Sequence, residues 1–136
     1  MADYLLDTNT ASRLMRADRP TVTAMRRSGA TAIGISTVTM AELIYGARLR
    51  QETPALMAAV RAFLTRVIVH PWDADAAEFH AAIRATAKAQ GRSAGTFDIM
   101  ISAHARALDA RLVTSDKAIR NLGVEGLQVV SWAAKT

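Results

Sequence analysis

The chain has no cysteine, so thiol catalysis, thiolate-bound zinc and disulfide cross-links are excluded together. Histidine is nearly as scarce. His70, His80 and His104 form neither an HExxH element nor a comparable pair, which removes a histidine-bound zinc site and leaves oxygen as the donor for any metal. No apolar run approaches the roughly 18 residues that a membrane span needs, so no membrane association is expected. The first seven residues lack a basic n-region and meet acids too early for a secretory h-region, which predicts a cytoplasmic location. Aromatic residues are only 5% of the chain, and neither Trp72 nor Trp132 has aromatic company in the sequence. Both read as core or interface residues rather than base-stacking platforms.

What is present suits one soluble domain spanning residues 1–136. A domain of about 150 residues buries about two thirds of its unfolded surface, and 51% of this chain is hydrophobic. Lys and Arg number 17 against 12 for Asp and Glu, giving +5. That excess suits a polyanionic partner such as RNA, because cationic contacts to phosphate supply most non-specific nucleic-acid affinity. Arg13, Arg16, Arg26 and Arg27 are the first candidates. An ordinary solvated surface has the same composition, so charge alone does not decide.

Along the chain, short apolar runs alternate with helical periodicity. Residues 4–6, 32–35, 67–69, 111–114 and 127–130 read as strands. Helices are expected from Asp7 to about Arg16, from Pro20 to about Ser28, after Ser36, over 54–66, after Asp73, after Thr96 as cap, and over 115–122. In the helix after Thr96, Phe97, Ile101, His104 and Leu108 form the inward stripe, which makes His104 a packed residue rather than a base. Strands alternating with helices predict an α/β fold with a mainly parallel central sheet covered on both faces. Gly91-Arg92-Ser93-Ala94-Gly95 matches a G-x-S-x-G nucleophile elbow, but an elbow follows a strand and here a long helical pattern precedes it.

Four acids stand out by position. Asp7, Glu42, Asp98 and Asp116 each fall where an apolar run ends or the next helix begins. In a parallel sheet the carboxyl ends of the strands gather on one edge, where ligand sites form. Taken singly, each acid has a structural role available: Thr39 to Glu42 reads as a capping box, and the three aspartates suit helix N-termini. Capping gives no reason to gather four acids at one edge of the sheet. Converging carboxylates resist joint ionisation, and a hard divalent cation, magnesium or manganese, relieves that repulsion with oxygen ligands. The matching chemistry is metal-assisted phosphodiester hydrolysis, in which no side-chain nucleophile is needed. Asn9, Thr114 and Ser115 are neutral neighbours suited to orienting ligands or water.

The segments Leu5 to Asn9, Ser36 to Leu43, Phe97 to Ala105 and Leu112 to Asp116 resemble, in order and spacing, the PIN-domain motifs of VapC toxins. The resemblance covers nearly the whole chain. It implies a three-layer α/β/α fold, a magnesium-dependent endoribonuclease, a homodimer and a VapB-type antitoxin partner. It also implies that Asp7, Glu42, Asp98 and Asp116 form the acidic quartet, with Thr114 as an auxiliary. Two rivals remain at this stage. A receiver-like phosphoryl-transfer domain calls for paired acids after the first strand, where Asp7 stands alone, and a non-catalytic RNA-binding module would keep the basic surface without cleavage.

Overall fold

The structure is a computed structural model that describes residues 3–134. Five strands, β1 (Tyr4–Leu6), β2 (Ile33–Ser36), β3 (Ile68–His70), β4 (Arg111–Val113) and β5 (Val129–Val130), form one sheet in the order β3-β2-β1-β4-β5. Every pairing is parallel. Seven helices connect them: α1 (Thr8–Met15), α2 (Arg19–Ser28), α3 (Thr37–Arg48), α4 (Pro54–Leu64), α5 (Ala74–Ala89), α6 (Thr96–Leu108) and α7 (Lys117–Asn121). The chain leaves β1 towards one edge through β2 and β3, then returns to the other side of β1 with β4. The order therefore reverses at β1 and β4, where open α/β sheets form their ligand crevices.

Side-chain alternation along β1 explains the three layers. Tyr4 and Leu6 join Ile35 and Val113 in a core that takes Ala11 from α1, Leu43 and Ala47 from α3, and Val60 and Phe63 from α4. Leu5 points the other way and packs with Leu112 against Ile101 and Ala105 of α6. Strands buried on both faces must be apolar at consecutive positions, which is why β1 is an unbroken Tyr-Leu-Leu run. Behind α6, Ile83 and Ala87 of α5 meet Ile99 and Ala103 in a third cluster. Among the described residues, no helix is long and apolar enough to cross a membrane.

Several local expectations are corrected. Ser36 rather than Thr39 caps α3, accepting from the Val38 N–H at 3.1 Å, so Glu42 makes no capping box. Gly95 rather than Thr96 is the N-cap of α6. Phe97 is 55% exposed and so leaves the inward stripe, whereas His104 is buried as expected. The last helix starts at Lys117, with Asp116 as its cap. Strand β3 runs one residue later than residues 67–69, and β4 and β5 are shorter than expected. Trp132 does have an aromatic neighbour: its ring lies 5.3 Å from that of Tyr4, sealing the edge of the core. The G-x-S-x-G segment follows α5, not a strand.

Candidate active site

The carboxyl ends of the central strands carry the acids. Asp7 directly follows β1 and caps α1, with Oδ1 accepting from the Thr10 N–H at 2.8 Å. Its Oδ2 accepts from the Thr114 hydroxyl at 2.5 Å, across the seam between β1 and β4. Asp7 is only 3% exposed, so this carboxylate is fixed by two donors in a buried setting. Thr114 is itself fully buried, and its Oγ1 also accepts from the Asp116 N–H at 3.1 Å. One hydroxyl thus ties the acid after β1 to the acid that caps α7. Asp116 Oδ1 accepts from the Ala118 N–H at 2.8 Å.

The other two acids come from the helices. Glu42 lies in α3 and its Oε1 accepts from the Thr8 hydroxyl at 2.5 Å, a contact between residues 34 apart in sequence. Asp98 lies in the first turn of α6 and is half-buried. Burial raises its pKa above the ordinary carboxylate value, and the negative charges of Asp116, Asp7 and Glu42 raise it further. Asp98 therefore lies within electrostatic reach of the other three acids at one end of the sheet.

Among the described residues no basic side chain forms an ion pair with any of them. Among the described residues the one ion pair within bonding distance joins Arg50 to Glu52, neither of which belongs to the site. The donor set suits a hard divalent cation: all oxygen, several carboxylates and an uncompensated negative charge. The spacing is open, since no three acidic or histidine side chains among the described residues stand at closed metal-ligand distances. A cation would have to draw the carboxylates inward.

The neutral neighbours divide. Thr114 orients Asp7, as described. Ser115 accepts from the Arg13 guanidinium at 3.1 Å, which brings a cation from α1 to the end of β4. Asn9 is exposed and makes no side-chain hydrogen bond among the described residues. Thr8 was not singled out by sequence reasoning, yet it orients Glu42. Its only signal was adjacency to Asp7.

The Thr114 link makes a direct prediction. Thr114→Val keeps the shape and deletes the bond to a buried carboxylate, so unfolding should become easier by roughly 1.5–3 kcal/mol. Denaturant titration with unchanged slope would read this as a shift in midpoint. A midpoint equal to that of the parent protein would show that Asp7 does not depend on this donor.

The PIN domain family pattern matches residues 4–125. The chain is 34% identical over 134 residues to the tRNA(fMet)-specific endonuclease VapC of Shigella flexneri, covering 98% of this chain and all of that protein. Among solved structures it is similar to DNA-bound VapBC from Salmonella typhimurium, with TM-score 0.87, 28% identity, and 98% of this chain and 100% of that chain covered. It is also similar to VapBC-1 from nontypeable Haemophilus influenzae, with TM-score 0.82, 32% identity, and 95% and 97% covered. A family pattern across most of the sheet and a relative one third identical over its whole length agree with the parallel order and the acids at its strand ends: the chain belongs to the PIN domain family, in its VapC branch.

Proposed function

We propose that this protein is the toxin of a type II toxin-antitoxin pair, an endoribonuclease that hydrolyses RNA phosphodiester bonds at Asp7, Glu42, Asp98 and Asp116 with magnesium, or manganese in its place. The observation that carries the assignment is Asp98, a half-buried carboxylate destabilised as an anion by burial and then by three other acids, with no basic side chain among the described residues paired to any of them. Acids arranged this way weaken the fold unless a cation joins them, so their value lies in what they hold.

Asp7, Glu42, Asp98 and Asp116 would hold the divalent cation, which would supply Lewis-acid activation of water and of the phosphoryl group. The remaining work belongs to the chain. Thr10 and Thr114 hold Asp7 in one orientation, Thr8 holds Glu42, and the α7 N-terminus holds Asp116. Such supports fix ligand geometry before the substrate arrives. Arg13, hydrogen-bonded to Ser115 beyond the end of β4, is the cation offered to an incoming phosphate. No serine, threonine or cysteine nucleophile is required.

The names of the relatives point to tRNA as the first substrate to try and to a VapB-type antitoxin as the partner. A homodimer fits the same reading. To test the function, the purified chain is incubated with tRNA and magnesium, and new RNA ends are mapped. Discrete internal ends that vanish on chelation are expected; ends that persist at the same rate in chelator would reject the metal-dependent nuclease.

A further inference from the structure

Glu42 borders an apolar pocket of about 720 Å3 that is also lined by Thr8, Val38, Ala41, Tyr45 and Phe97. Two large aromatic side chains line it while remaining open to water: Tyr45 is 63% exposed and Phe97 is 55% exposed. Each is carried by a helix that also carries an acid. Tyr45 lies one turn after Glu42 on α3, and Phe97 directly precedes Asp98 on α6. Pocket and acid cluster therefore share Glu42 and have common supports.

We propose that this pocket receives a nucleobase of the RNA strand, next to the phosphate being cut, with Tyr45 and Phe97 supplying the stacking faces. The proposal rests on the endoribonuclease reading, since it needs a phosphodiester at the acids. Three features favour a base. A strand whose phosphate reaches Glu42 necessarily brings an adjoining nucleoside to the pocket that Glu42 borders. The pocket wall is mostly apolar and its one charged member is the acid Glu42, which disfavours a phosphate but accepts a neutral planar base. Unstacked bases in single-stranded RNA are commonly bound on exposed aromatic side chains, whatever their identity. The pocket would thus splay the strand and set the register of the cut.

The test compares the parent protein with Tyr45→Leu and Phe97→Leu, which keep apolar bulk and remove the ring, and with Tyr45→Phe, which keeps a ring. Single-stranded RNA oligonucleotides are the substrate for kinetics. The same oligonucleotides with fluorescent aminopurine beside the cut are the binding probe, used in an Asp98→Asn background so that nothing is cleaved. Each Leu variant should raise KM about tenfold, within the range typical of losing one base stack, and should restore aminopurine fluorescence that the parent quenches. Tyr45→Phe should recover most of both. If the parent cleaves RNA while the Leu variants match it in KM and quenching, the pocket holds no base. Loss of antitoxin binding with RNA parameters intact would assign the pocket to a protein segment, and loss of RNA affinity only alongside a changed oligomeric state would assign it to a second copy; either result overturns the proposal. A parent protein that cleaves no RNA would instead defeat the endoribonuclease reading, and the pocket assignment with it.

Discussion

Asp98→Asn is expected to reduce RNA cleavage by at least about a hundredfold while leaving the metal-free protein as stable as the parent or more so. The activity loss follows from removing one charged ligand where charge stabilisation of the transition state is the dominant effect, commonly worth a factor of about 100 to 1,000 per group. The stability change follows from linkage. The folded-state pKa of Asp98 lies above its unfolded value, because burial and then Asp116, Asp7 and Glu42 disfavour its anion. Its favourable contribution is complete below the unfolded value and is lost as pH rises through the folded one. At neutral pH the metal-free fold therefore carries a penalty that asparagine does not. Melting curves of both proteins in chelator, from acid to neutral pH, should converge at low pH and separate in favour of Asp98→Asn as pH rises. A variant that melts lower than the parent at neutral pH would mean that Asp98 is held by contacts other than those described.

Asp7→Asn is a less clean substitution. Both Asp7 oxygens accept hydrogen bonds, and an amide would present a donor to one of those partners. Loss of cleavage there would combine a ligand effect with a local rearrangement. Asp98 has no such side-chain bonds among the described residues, which makes it the better probe of charge.

RNA affinity should fall steeply with salt. Arg16, Arg26 and Arg27 are exposed, and Arg13 is held beside the strand ends. If all four meet phosphates, the logarithm of affinity falls by about 2.8 per tenfold rise in salt, from a single-strand slope of about 0.7 per contact. Filter binding in the Asp98→Asn background measures this without cleavage. Arg13→Ala should flatten the slope by about 0.7, one contact's worth. An affinity that does not change with salt would remove phosphate contact from the account and leave the basic surface for the partner.

The acids were legible in the sequence because each stands where an apolar run ends or the next helix begins, and a parallel sheet converts that local feature into a shared edge. What supports them was not legible. Thr8 with Glu42 and Thr114 with Asp7 join residues 34 and 107 apart, and no local pattern marks such pairs. The cap of α3 was misplaced for a related reason: Ser36 and Thr39 are equally good caps by chemistry, and only the end of β2 decides between them. Phe97 shows the limit of periodicity. Spacing places it on a side of α6 but does not say whether a neighbouring element reaches far enough to cover it, and among the described residues none does. The pairing of Trp132 with Tyr4 likewise needs the two ends of the chain to meet.

The central claim is that four carboxylates at the strand ends hold a divalent cation, and calorimetric titration of magnesium into the chelated protein tests it most directly. The parent protein should bind the ion and Asp98→Asn should bind it at least about tenfold more weakly, the loss that follows from removing about 1.4 kcal/mol or more of ligand interaction. Equal binding by both proteins, or no binding by the parent with either magnesium or manganese, would contradict the account.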